Sequence, residues 1–141
     1  MQQLAFLDIH LDKRVRRKAE KLMSSYTFID AIIQSQKLDL PEQSMIVNYH
    51  PSEIQRGNQF HSETERVALL MLKISEHIKT KEKLDNIYKS LKPIQRRIWD
   101  LRYIEGKTDV DVYNEFYISD RTYYRVKREM IAVIAEAFRL S

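Results

Sequence analysis

Between Phe116 and Ser119 the chain has room for only Tyr117 and Ile118, and the residues on both sides of that gap read as helix. The second helix opens at Ile118-Ser119-Asp120-Arg121-Thr122, where the Ser119 hydroxyl can accept from an orphan amide of the first turn and Asp120 stands at the positive end of the dipole. The first opens at Thr108-Asp109-Val110-Asp111, a capping-box-like spacing with Asp111 in place of the usual Glu, and Val112 and Phe116 give it an inner face. Two helices joined by so short a connection must meet at a sharp angle, as in a helix-turn-helix. Tyr117 occupies the turn position where many such units carry a left-handed Gly, an uncommon conformation for a bulky residue, so the turn is open between a standard and a non-standard form.

A third helix precedes the pair. Pro93 suits a first helical position, Ile94, Ile98, Leu101 and Ile104 share one face, and Gly106 ends the run. After Ser119, the residues Tyr123, Val126, Met130, Ile134 and Ala137 recur at three- and four-residue steps and call for burial. At about 100° per residue, Arg121, Arg125 and Arg128 fall on the opposite side. Core on one face and three guanidiniums on the other is the layout of a helix that reads DNA. Tyr123 is expected in the core, while Tyr124 can reach a phosphate or a thymine methyl. Thr108 and Lys107, at the front of the preceding helix, are positioned to hold phosphate.

The segment LKPIQRRIWDLRYIEGKTDVDVYNEFYISDRTYYRVKREMI resembles region four of the major sigma factor family: a helix ending in Leu-Arg-Tyr, a Gly-containing turn, then the helix-turn-helix. Within that group ISDRTYYRVKREMI is closer to the ArpU and RinA families of phage regulators, which control late packaging and lysis genes. The likeness is good over the last fifty residues, whereas the preceding ninety fit only in general layout. It implies an activator of late phage genes in the cytoplasm of a bacterial host, bound to double-stranded DNA and able to contact RNA polymerase. The residues expected at DNA are Lys107, Thr108, Ser119, Asp120, Arg121, Thr122, Tyr124, Arg125 and Arg128.

Two glycines and three prolines among 141 residues, with helix formers abundant, point to an all-α chain. The absence of cysteine excludes disulfides, thiol chemistry and thiolate metal sites. The longest apolar run, Val67 to Leu72, is too short to span a bilayer, so a soluble intracellular protein with no membrane partner is expected. A net charge of +4 is compatible with nucleic acid without being diagnostic.

Four segments are expected. Residues 1–35 hold a basic helix from Leu11 to about Gln34, with Val15, Ala19, Leu22, Tyr26 and Ile29 inward and Ile32 and Ile33 extending the stripe. Its outer side carries Lys13, Arg14, Arg16, Arg17, Lys18 and Lys21 within nine positions; Arg14, Arg16, Arg17, Lys18 and Lys21 are candidate phosphate contacts, the alternative being a solvated face. Residues 36–61, broken by Pro41, Pro51 and Gly57, read as a linker in which residues 45–49 could dock as a short strand or an apolar clip. Residues 62–91 read as one long helix, kinked or continuous, starting at the Ser62-Glu63-Thr64-Glu65 capping box. Its two apolar patches, Val67 to Ile78 and Leu84 to Leu91, can pack within the chain or form a homodimer, and packing is favoured because the N-terminal helix also needs a partner surface. Residues 92–141 are the helix-turn-helix unit.

Catalysis finds little support. His10, His50, His61 and His77 have no metal-pair spacing, and two glycines cannot build a phosphate-cradling loop. Asp109, Asp111 and Glu115 resemble a paired-carboxylate site but open a helix, where carboxylates serve the dipole. No enzyme activity, cofactor or metal is expected. Two rivals to a regulator stay open: a packaging protein of the terminase small-subunit kind, and a sigma or polymerase adaptor that offers its basic face to an acidic protein.

Overall fold

The computed structural model describes residues 11–41 and 58–141. Within them the chain is all-α, with no strand. The helices are α1 (Lys13–Ser25), α2 (Ile29–Lys37), α3 (Asn58–Ser90), α4 (Pro93–Trp99), α5 (Asp109–Glu115) and α6 (Asp120–Ala137), and α4 continues as a π-helical turn over Asp100–Ile104. They divide into two compact units. One takes its described residues from 11–27 and 82–141, the other from 28–41 and 58–81.

The N-terminal stretch forms two helices where periodicity alone suggests one. Asp12 caps α1 by accepting from the Val15 amide at 2.8 Å. At the far end the Ser25 hydroxyl donates to the Leu22 carbonyl at 2.6 Å, a local bond that competes with helix continuation. Tyr26 then leaves the helix, stacks near Tyr88 and Trp99, and donates its hydroxyl to Asp85. Val15, Ala19 and Met23 face the core of this unit; Ile29 and Ile33 on α2 belong to the other, where they pack on Ile74 of α3. In that second unit His77 Nδ1 lies 2.9 Å from Gln36 Oε1.

The Ser62 capping box does not start a helix. Helix α3 begins at Asn58, because nothing between Asn58 and Ser62 breaks it, and Glu63 instead pairs with Arg66 at 2.6 Å across one turn. It runs unbroken to Ser90. The expected linker is therefore shorter than 36–61, since Gln36 and Lys37 close α2 and residues 58–61 open α3. The remaining residues 42–57, with the short strand or apolar clip expected at 45–49, lie outside the described residues.

The core of the C-terminal unit joins Ala19 and Met23, Leu84, Ile87 and Leu91 of α3, Ile98 and Trp99 of α4, Leu101 and Tyr103, Val112, and Tyr123, Met130, Ile131 and Ile134 of α6. Helix α4 starts as its sequence indicates, with Pro93 in the first turn and the Gln95 side chain accepting from the Lys92 amide at 3.0 Å. Its end departs from expectation. The Glu105 amide donates to the Asp100 carbonyl five residues back, and the widened turn advances each residue by less than the α-helical step. Tyr103 consequently swings into the core, and Ile104, expected inside, is 41% exposed. Gly106 ends the turn at φ 77°, with the Lys107 amide donating to the Leu101 carbonyl at 3.0 Å.

The turn between α5 and α6 is a Schellman closure. The Tyr117 amide donates to the Asn114 carbonyl and the Ile118 amide to the Tyr113 carbonyl, at 3.2 and 3.3 Å, with Tyr117 at φ 56°. A tyrosine thus takes the conformation that glycine takes without steric cost. Its ring is 95% exposed, so no burial offsets the strain. Tyr117→Gly is expected to raise unfolding stability by about 0.5–1 kcal/mol, the left-handed penalty less the extra entropy of glycine. Urea denaturation checks this, and an unchanged or lower midpoint would mean that the ring makes a stabilising contact.

Candidate nucleic-acid interface

Helix α6 is capped as its sequence indicates. Ser119 Oγ accepts from the Thr122 amide at 3.1 Å and donates to Thr122 Oγ1 at 2.9 Å, while Asp120 accepts from the Arg121 amide at 2.7 Å. Ser119, Asp120 and Thr122 thus organise the first turn of α6. Of the expected inner stripe, Tyr123, Met130 and Ile134 are fully buried and Val126 and Ala137 half-buried. Arg121, Arg125 and Arg128 are exposed, and none of the three guanidiniums has a hydrogen-bond or ion-pair partner among the described residues. Tyr124 is 43% exposed, edge-on to Tyr123 at 5.2 Å between ring centres.

The front of α5 is committed differently. Thr108 Oγ1 accepts from the Asp111 amide at 3.2 Å as the helix cap, and Lys107 pairs with Glu115 at 3.2 Å. Arg97, on the exposed side of α4, lies over the Phe116 ring at 5.4 Å, which braces the inner residue of α5. On α1 the cations at 13, 14, 16, 17, 18 and 21 are all exposed, and Lys18 donates to the Ser141 carbonyl at 3.0 Å.

Beneath this surface lies a polar cluster that pattern reading passes over. Lys127 is 7% exposed on the inner face of α6, and its ammonium donates to Asp109 Oδ1 at 2.9 Å and lies 3.8 Å from Glu20 Oε2. The same Asp109 oxygen accepts from Tyr123 at 2.6 Å and from Arg102 Nε at 3.1 Å. Glu20 also accepts from the Tyr103 hydroxyl at 3.1 Å. Four elements thereby meet at two carboxylates: α1, the π-turn, the start of α5, and α6 through two of its successive turns, with Arg102 and Tyr103 both supplied by the π-turn. Burial alone would push the Asp109 carboxyl up; hydrogen bonds from Tyr123 and Lys127, and the charges of Lys127 and Arg102, outweigh it and hold Asp109 below the usual carboxylate range. Burial, then the neighbouring carboxylates, push the Tyr123 and Tyr103 hydroxyls well up, so both remain donors. The carboxylate at 109, assigned from sequence to helix opening alone, is the hub of this cluster.

Residues 66–135 match a family model described as "Protein of unknown function (DUF1492)". The matched stretch runs from the first half of α3 through most of α6, so the chain is similar to that family over the turn between α5 and α6 and most of the helix that follows it. No curated protein and no solved structure matches the chain. Among the described residues, no helix is long and apolar enough to cross a membrane.

Proposed function

We propose that the chain is a sequence-specific DNA-binding transcription regulator that inserts the N-terminal turns of α6 into a major groove. The observation that carries this reading is the set of three exposed guanidiniums on one face of α6, without hydrogen-bond or ion-pair partners among the described residues, directly after a tight helix-helix turn. A planar guanidinium suits bidentate recognition of guanine O6 and N7, and it remains charged at any working pH. Lys107 and Thr108, held at the front of α5 by the Glu115 ion pair and by the helix cap, are the phosphate contacts of this reading once Lys107 exchanges Glu115 for phosphate, and Tyr124 lies one residue round from the buried Tyr123. The likeness to ArpU and RinA regulators supports late phage genes as targets, and the likeness to sigma region four supports contact with RNA polymerase in the host cytoplasm. The protein acts by binding, without enzymatic turnover. Genome-wide DNA capture from the host strain tests the reading. A sharp site upstream of late genes is expected; enrichment at a packaging site would favour the terminase-like alternative, and no enrichment would favour the adaptor.

The basic face of α1 supplies a second contact in this proposal. Lys13, Arg14 and Arg16 lie in the first turns of a helix where the dipole disfavours cations and, among the described residues at that end, only the capping Asp12 carboxylate opposes them. An anionic partner removes that cost. Replacing Arg16 and Arg17 by Gln is expected to weaken specific and non-specific DNA binding alike and to reduce the salt slope by about one to two charges. Affinity titrations across a range of salt concentrations measure this, and an unchanged slope would return the face to solvent.

A further inference from the structure

The cluster around Lys127 is an expensive way to fill an apolar interface. A lysine buried on the inner face of α6 gives up its hydration, and substitution of such ion pairs by well-packed apolar groups is commonly neutral or stabilising. What the cluster supplies is direction. Asp109 Oδ1 receives three donors, from the π-turn, from Tyr123 and from Lys127 one turn later on α6, so the start of α5 is tied to two successive turns of the arginine-bearing helix. Glu20 ties the same ammonium to α1, and Tyr103 ties α1 to the π-turn. Apolar contacts among Tyr123, Met130 and Ile134 tolerate sliding and rotation, whereas bonds of 2.6 to 3.1 Å to one oxygen do not. The Arg125 guanidinium projects from a Cα two residues before Lys127, so a small rotation of α6 displaces it across a base pair.

We propose that Lys127 is a positioning residue that sets the rotation and crossing angle of α6 against α5 and α1, and thereby the sequence selectivity of the arginine face. The selectivity part rests on the DNA-reading proposal above; the positioning part does not. Because the chain has no cysteine, paired spin labels can be attached cleanly at Asn114→Cys on α5 and Glu136→Cys on α6, both exposed. The labelled protein should give one narrow distance distribution. Lys127→Met should remain helical and melt cooperatively but give a broadened or shifted distribution, and its ratio of specific to non-specific DNA affinity should fall at least about tenfold, the value of one well-made base contact. Should loss of the ammonium beside Asp109 and Glu20 prevent folding, the double substitution Lys127→Met with Asp109→Asn removes the charges at both positions and makes the same comparison. A folded variant with the parental distance distribution overturns the positioning role. A changed distribution with an unchanged affinity ratio overturns the selectivity role. If the parental protein selects no sequence, the DNA-reading proposal fails, and the distance distributions still decide the positioning of α6.

Discussion

Asp109→Ala is expected to lower the unfolding free energy by about 3 kcal/mol, at the low end for a broken buried pair because the carboxylate keeps some access to water. The substitution removes the acceptor of three hydrogen bonds at once and leaves the Lys127 ammonium buried with Glu20, at 3.8 Å, as its remaining carboxylate among the described residues. A drop of at least about 10 °C in melting temperature should follow for a unit of this size. The effect has a definite pH signature. Asp109 is held below its ordinary range when folded, so its contribution is fully present above the unfolded carboxylate value and is lost as the pH falls through the lower, folded value. The gap between wild type and Asp109→Ala should therefore be widest near neutrality and close in acid. A gap that stays constant down to about pH 2 would mean that the loss comes from packing and not from the charged carboxylate.

The second large effect concerns the arginine face of α6. Arg125→Ala should cost about 1–3 kcal/mol against the best DNA site and relax preference at one base pair, because a guanidinium in the first two turns of α6 can make a bidentate contact to guanine. Arg128→Ala, a turn further from the helix start, should instead lower affinity nearly equally for all sequences, as expected for a phosphate contact. Neither should alter folding, since both side chains are exposed and unpartnered among the described residues. Equal affinity and preference in both variants, with the helical circular dichroism intact, would leave the arginines as a solvated face.

The helix-turn-helix was legible because its signals are local. Caps at Thr108 and Ser119, the stop at Gly106 and the two-residue gap each act within one turn of the chain, and the structure realises them with the hydrogen bonds those residue types make. Tyr117 was visible as a departure, and the φ of 56° resolves it: the standard turn is kept with a tyrosine in place of glycine. The errors arose where tertiary contacts override periodicity. The stripe from Val15 to Ile33 is continuous in sequence, but a Ser25 side-chain bond and the docking of Tyr26 beside Trp99 divide it between two units. Ile104 lost its place to Tyr103 because a π-turn changes the angular step, and no residue type in DLRYI announces one. Lys127 was hidden for a related reason. A lysine on an apolar stripe reads as a flank until its acidic partners are known, and Asp109 and Glu20 are distant in sequence; the available signal was its spacing, four residues after Tyr123 and three before Met130.

Selection of duplexes from a random pool by the intact chain, followed by affinity measurement on the enriched sequence, tests the central claim that α6 reads DNA. The expected result is one enriched motif containing a guanine whose replacement weakens the wild-type protein by about 1–3 kcal/mol and leaves Arg125→Ala unaffected. Folded protein that enriches no sequence, or a motif to which Arg125→Ala binds with undiminished preference, would contradict it.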